Sequence, residues 1–266
     1  MSDHHHHLHL RGEEAKRVTL VGAVVNLLLS IIKIFIGVVA NSQSLLADGI
    51  HSFSDLLSDT LVWFAAQHAA EAPDDEHPYG HGRYETVATL ALGILLILVA
   101  VGISWDAVSR LFSPEELMVP GYFALYAAAF SILIKEVLYH YTAHVGRKTR
   151  SKMLMANAWH HRSDAVSSIV VLIGVAGALA GLEYLDAVAA VIVGVMIAKI
   201  GWDLGWEAIH ELADTALEEE RVDAIRETIL KVGGVIDLHM LRTRRLGGHA
   251  AADVHVFVEP MISVSE

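Results

Sequence analysis

The sequence predicts a membrane all-α protein, a bundle of six transmembrane helices followed by a small water-facing α+β tail. Three observations carry that prediction. Of the 266 residues, 54% are hydrophobic and only 19% charged, against about 25% charged in ordinary soluble domains. The mean hydropathy is +0.46. The charges are also gathered in a few places, at the N-terminus, in 71–85, in 147–152 and after 207, which leaves long uncharged stretches between them.

A helix needs roughly 20 mostly apolar residues to cross a bilayer. Six stretches qualify, at about 18–40, 44–68, 86–110, 119–143, 153–180 and 187–208. Short polar breaks separate them: A-N-S-Q-S, E-A-P-D-D-E-H-P-Y-G-H-G-R-Y-E, F-S-P-E-E, V-G-R-K-T-R-S-K and G-L-E-Y-L-D. Basic residues set the expected orientation. Arg11, Lys16 and Arg17 precede the first span; Arg83 follows the second; Arg147, Lys148, Arg150 and Lys152 lie between the fourth and fifth. The alternate breaks carry no Lys or Arg apart from Arg110 at a helix end. Both termini are therefore expected in the cytoplasm.

From about residue 213 the pattern changes. Residues 218–230 read as an amphipathic helix with an acidic first turn. Two alternating stretches, 235–246 and 251–259, flank Gly247-Gly248 and read as a hairpin. One helix and two strands bury little core, so this tail is expected to be cut short or to pack on a partner. The expected domains are a disordered histidine-rich tail (1–15), the membrane domain (16–212) and a partial cytoplasmic domain (213–266). The opening M-S-D-H-H-H-H-L-H-L suits a tag remnant, a native tail or a weak metal-collecting arm.

Composition also excludes chemistry. With no cysteine, disulfides, thiolate metal sites and cysteine nucleophiles are out. A metal site must use nitrogen and oxygen, which disfavours Cu(I). The 17 histidines make such a site plausible, since imidazole is the commonest protein metal ligand. A net charge of −12 argues against nucleic acid as a partner.

The second span holds the sharpest anomaly. Asp48, His51, Asp55 and Asp59 fall on one stripe of a helix. An ionised residue at the bilayer centre costs about 2.5–3.5 kcal/mol on insertion scales, so the stripe must face protein, water or a cation. The fifth span repeats the spacing in A-W-H-H-R-S-D-A, where His160 and Asp164 share a face and His161 points roughly 100° away. Two H-x-x-x-D pairs on two spans supply two imidazoles and two carboxylates, a four-coordinate set suited to Zn2+. Fe2+ and Co2+ tolerate similar ligands, and Mn2+ prefers more oxygen. The alternative is interhelical hydrogen bonding, the role expected of Asn26 and Asn157. Asp48 and Asp59 are either part of an ion path or solvated helix-end charges.

Two weaker sets follow. Asp74, His77 and His81 in P-D-D-E-H-P-Y-G-H-G are spaced so that one turn could bring them to a single ion, or they form a solvated acidic loop. His239 and His255 sit on the two expected strands and His249 just after the turn; lone strand histidines are more often structural.

The motifs S-L-L-A-D-G-I-H-S-F-S-D, D-D-E-H-P-Y-G-H-G-R-Y-E, N-A-W-H-H-R-S-D-A and H-M-L-R-T-R, in this order, resemble those of the cation diffusion facilitator family, and most closely its bacterial zinc and ferrous-iron efflux branch. The resemblance runs from about residue 16 to the end. It implies six transmembrane helices with a cytoplasmic ferredoxin-like domain, a homodimer in the bilayer of the bacterial inner membrane, and export of divalent metal in exchange for protons. It implies His51, Asp55, His160 and Asp164 as the transport site and Asp74, His77 and His81 as a second site. His239 and His255 would be part of a binuclear site in the cytoplasmic domain. Arg83 and Asp214 would form a charge pair linking membrane and cytoplasmic parts of the dimer. Some members of the branch carry Asp where His51 stands, and a His-Asp-His-Asp set leans towards zinc; Fe2+, Co2+, Cd2+ and Mn2+ stay open as substrates. The family's cytoplasmic domain continues beyond the point reached by Glu266, so the binuclear site is expected to be incomplete. The rivals from other classes are a non-transporting metal sensor or assembly partner, and an intramembrane metallohydrolase that would use the same ligands to activate water.

Overall fold

A computed structural model describes residues 2–69, 71–113, 117–149, 151–246 and 249–260, with backbone alone at 2–16, 62, 63, 66 and 152. Its elements in chain order are α1 (Ser2–Val39), α2 (Gln43–Ala69), α3 (Arg83–Phe112), α4 (Tyr122–Thr149), α5 (Lys152–Leu179), α6 (Tyr184–Leu212), α7 (Glu219–Leu230), β1 (Val235–Leu246) and β2 (His249–Val258).

Among the described residues, five helices are long and apolar enough to cross a membrane: α1 over Arg17–Val39, α3, α4, α5 over Met153–Leu179, and α6. The expectation of six spans is thus met by five on length and composition. The remaining long helix, α2, has 27 residues but carries three aspartates within twelve positions, Asp48, Asp55 and Asp59. Two boundaries differ from the hydropathy reading. α4 continues to Thr149, past the fall in hydropathy near 143, because H-Y-T-A-H-V-G-R-K-T is polar yet has no helix breaker but Gly146. α1 begins at Ser2, so the backbone of the histidine-rich stretch, expected as a disordered tail, is helical; the side chains of that stretch lie outside the described residues.

The chain forms two compact units, Met1–Asp59 with Leu96–Ile200, and Thr60–Leu95 with Gly201–Glu266. In the first, α4 packs on α5 and on α1, with Tyr139, Ala143 and Ala158 in the α4–α5 seam. α1 and α2 approach closely through glycine. A Cβ at Gly37 would lie 2.7 Å from the Leu46 nitrogen, and one at Gly49 would lie 2.8 Å from the Ile34 nitrogen; small residues permit such backbone approach in membrane bundles. The intervening turn places Asn41 at φ 52°, a left-handed conformation that Asn tolerates. Ser42 then caps α2, its Oγ accepting from the Leu45 amide at 3.2 Å. Asp186 of α6 accepts from the Gln43 amide (2.7 Å) and the Ser42 hydroxyl (2.8 Å), adding a negative charge at the positive end of the helix.

This unit exposes large apolar side chains and buries several ionisable ones. Phe35, Trp105, Phe123, Ile173 and Val195 are exposed, whereas Lys33, Asp48, Ser52, Lys135, Asp164 and Ser168 are buried. Apolar faces turned outward suit a hydrocarbon solvent, and ionisable groups in such a setting must find partners inside the protein.

In the second unit, β1 and β2 pair antiparallel with His239 opposite His255 and Leu246 opposite His249. The strands lie where the alternation of the sequence places them; the turn at Gly247-Gly248 is outside the described residues. The ladder shifts between His239 and Arg242, where Met240 has φ 55°, the signature of a bulge. α7 packs on β1 but has no buried residue. Ile236, Phe257 and Val258 are exposed, so helix and hairpin leave an apolar face uncovered. Arg83 donates to Asp214 at 2.5 Å and to the Leu212 carbonyl at 3.2 Å, fastening the start of α3 to the end of α6 within the chain. Asp214 itself is left-handed, φ 59°.

Candidate metal centre

The i,i+4 spacing puts His51 and Asp55 on one face of α2, with Nδ1 and Oδ1 3.8 Å apart. The same spacing on α5 puts His160 Nε2 3.8 Å from Asp164 Oδ2. Packing then brings three of the four together: ligand atoms of His51, Asp55 and Asp164 all lie within 4.8 Å of one another. His51 and Asp164 are buried. Asp55 Oδ2 is also buried and, among the described residues, has no hydrogen-bond partner. A buried carboxylate oxygen without a donor is costly, and a divalent cation would satisfy it. His160 stands at the margin, its side chain 48% exposed.

Asp55, His160 and Asp164 line a cavity with about 430 Å³ of empty space that continues into open solvent, lined also by Asn26, Asp59, Lys135, Asn157 and His161. Asp59, one turn beyond Asp55, thus adds a third carboxylate to it. Asp48 is turned elsewhere, into a fully buried pair with Lys33 of α1, Nζ to Oδ2 2.7 Å. Lys33 also donates to Ser52 (3.1 Å) and Ser168 (3.2 Å). Asp48 accepts from Ser167 and Ser168, both at 2.8 Å. Both hydroxyls are on α5, so this cluster ties α1, α2 and α5 together. Asn26 Oδ1 is buried without a protein donor among the described residues, which gives no support to its expected role as interhelical glue.

Sequence reasoning missed two lysines. Lys33 holds Asp48, and Lys135 of α4 donates to Asp164 Oδ2 at 2.6 Å, with both side chains at most 5% exposed. The available signal was a single basic residue inside each of two apolar stretches, S-I-I-K-I-F-I and S-I-L-I-K; intramembrane ionisable residues call for a named partner. His161 was expected off the site face. It is buried, faces α1 where a Cβ at Gly22 would be 3.3 Å from its Nε2, and lines the same cavity.

The loop set also converges. Ligand atoms of Asp74, His77 and His81 lie within 4.8 Å of one another. Asp74 Oδ1 accepts from the amides of His77 (2.5 Å) and Glu76 (3.0 Å), and the His77 amide above all holds the carboxyl below the ordinary aspartate range. His81 Nε2 is 3.4 Å from Asp74 Oδ2, and Tyr84 bonds His77 Nε2 at 3.2 Å. Gly80, at φ 81°, makes the turn that returns His81 towards Asp74. His68 and Glu71, bonded at 2.7 Å, stand beside this set, with the His68 ring 5.7 Å from that of His81. The tail histidines His239 and His255 face each other across the ladder, ring centroids 5.1 Å apart.

Compared with known proteins, residues 19–213 match the model of the cation efflux transmembrane domain, and 217–266 that of the cation efflux protein cytoplasmic domain. The chain is 38% identical over 277 residues to Metal tolerance protein C1 of Arabidopsis thaliana, covering 99% of this chain and 59% of that protein. It is 37% identical to Metal tolerance protein 2 of Oryza sativa, covering 96% and 72%. It is 31% identical to Manganese efflux system protein MneP of Bacillus subtilis, covering 96% and 88%. The chain therefore spans about three-fifths of the first of these relatives. With both parts matched in order and buried ligands converging between apolar helices, the chain belongs to the cation efflux, or cation diffusion facilitator, family.

Proposed function

We propose that this protein exports a divalent transition-metal ion across a membrane. The observation that carries the reading is the approach of ligand atoms of His51, Asp55 and Asp164 to within 4.8 Å of one another, with His51 and Asp164 buried among the helices. His160 completes the set by turning inward when metal arrives. α2 is the sixth span, its aspartates tolerated because they face cations, hydroxyls and the cavity rather than lipid. Both termini are cytoplasmic, in the bacterial inner membrane.

Metal enters from the cytoplasm, and α2 and α5 shift against the other helices to open the site outward. Binding needs neutral imidazole and ionised carboxylate, so metal expels protons and protons expel metal; an inward proton gradient drives export. Asp74, His77 and His81 hold a second, regulatory ion. The exposed apolar face of α7 and the hairpin is covered by a second copy, giving a homodimer whose hairpins carry His239 and His255 as a partial site.

Two imidazoles and two carboxylates favour Zn2+. Mn2+ is the rival substrate, because Asp59 adds a third carboxylate to the same cavity and Mn2+ prefers oxygen. The test is metal uptake into proteoliposomes containing a pH-sensitive dye, comparing wild type with Asp55→Asn and Asp164→Asn. Flux and proton movement should vanish together in both variants; equal flux in all three proteins sinks the site. A panel of Zn2+, Mn2+, Fe2+, Co2+ and Cd2+ ranks the substrates, and zinc flux indifferent to a collapsed pH gradient removes the proton exchange.

A further inference from the structure

We propose that Lys135 is a tethered counter-cation of the metal site, whose ammonium holds Asp164 while metal is absent and must leave that carboxylate for the divalent ion to bind. This rests on the reading of His51, Asp55 and Asp164 as metal ligands. Lys135 Nζ lies 2.6 Å from Asp164 Oδ2, and His160 Nε2 lies 3.8 Å from the same oxygen. Asp164 is therefore already engaged by a positive charge at the edge where α5 would present both of its ligands.

The geometry forces a choice. A metal bound to a carboxylate oxygen sits about 2.0–2.2 Å from it. An ammonium still hydrogen-bonded to that oxygen would then be within roughly 5 Å of a dication, in surroundings far less polar than water. Like charges that close repel strongly, so the lysine must swing off Asp164. Its four-carbon stem is flexible, and its side chain already lines the cavity into which the site opens.

With neutral imidazoles, Asp55, Asp164 and Lys135 together carry one negative charge, and a divalent ion turns that into one positive. Without the lysine the loaded site is neutral. Lys135 thus weakens metal binding and returns to Asp164 when the ion departs, which suits a carrier that must release its cargo. The step moves a charge and not a proton. Lys33 is the contrast: it is equally buried, but its partner Asp48 is bound by two serines and does not line the cavity.

The experiment uses the full chain in nanodiscs with Zn2+ alone as probe. Lys135→Met and Lys135→Gln should bind Zn2+ at least about tenfold tighter than wild type, each tenfold being about 1.4 kcal/mol, and should export it more slowly. Lys135→Arg should behave as wild type. Unchanged or weaker binding in both neutral variants overturns the inference. Should both neutral variants fail to fold, 15N NMR of the lysine ammoniums in wild type decides. The Lys135 signal should shift on saturation with Zn2+ while that of Lys33 stays, and a stationary Lys135 signal overturns it. Asp55→Asn and Asp164→Asn separate the two ideas. If they bind like wild type the metal site itself is wrong; if they lose binding and the lysine variants do not tighten it, only the role of Lys135 falls.

Discussion

Removing the lysine of the other buried pair, Lys33→Met, should damage the fold far more than removing both partners. Lys33 and Asp48 are 1% and 0% exposed and 2.7 Å apart. The single change leaves a carboxylate in the interior with only the Ser167 and Ser168 hydroxyls for support. Breaking a buried pair from one side costs about 3–5 kcal/mol, whereas replacing both partners with apolar residues is often neutral or stabilising. At about 2–4 °C per kcal/mol for a chain of this size, Lys33→Met should lower the melting temperature in nanodiscs by roughly 6–20 °C. The double variant Lys33→Met with Asp48→Leu should recover most of that. The serines are not orphaned by it, because Ser167 also donates to the Asp164 carbonyl at 2.8 Å and Ser168 lies 3.3 Å from the Ser131 hydroxyl. Tryptophan-fluorescence melting, with size exclusion as a check on assembly, measures both. A single variant within about 3 °C of wild type, or a double variant as damaged as the single, refutes the reasoning.

Two further outcomes follow from local geometry. Gly37→Val should separate α1 from α2, since even a Cβ there would be 2.7 Å from the Leu46 backbone nitrogen, and metal flux should fall with the melting temperature; a variant with normal flux would show that this close approach is dispensable. Asp74 should stay ionised below the ordinary aspartate value of about 3.9, because its folded-state pKa is lowered, chiefly by the His77 amide. Its stabilisation of the loop is then present above the unfolded value and lost as pH falls through the lower folded one. Carboxyl 13C NMR titration reads this directly, and a midpoint at or above the ordinary value would contradict it.

Much of the arrangement was legible because helix periodicity is a local property. The spacing of His51 with Asp55, and of His160 with Asp164, forces each pair onto one face whatever the surroundings. The same locality let D-D-E-H-P-Y-G-H-G announce a loop that folds Asp74, His77 and His81 together. The alternation in residues 235–258 likewise announced a hairpin, but it took the bulge between His239 and Arg242 to bring His239 opposite His255. The ionisable stripe on α2 could be seen as a stripe, and His51 with Asp55 picked out as its ligand pair, but Asp48 and Asp59 could not be sorted. Asp48 proved to be half of an ion pair, Asp59 a cavity wall, and His51 and Asp55 the pair that meets Asp164.

The sequence by itself determined the apolar segments, the ligand types and the two H-x-x-x-D faces, since each depends on residues within a turn or two of one another. Only the tertiary structure decided which charges meet. Lys33 reaches Asp48 across 15 positions, and Lys135 reaches Asp164 across 29. Those distances depend on how α1, α2, α4 and α5 pack, with glycines at the α1–α2 crossing setting how near the backbones come. The same packing turned His161 inward and left His160 at the cavity margin, a rotation that one helical wheel cannot fix because it depends on where the neighbouring helices lie.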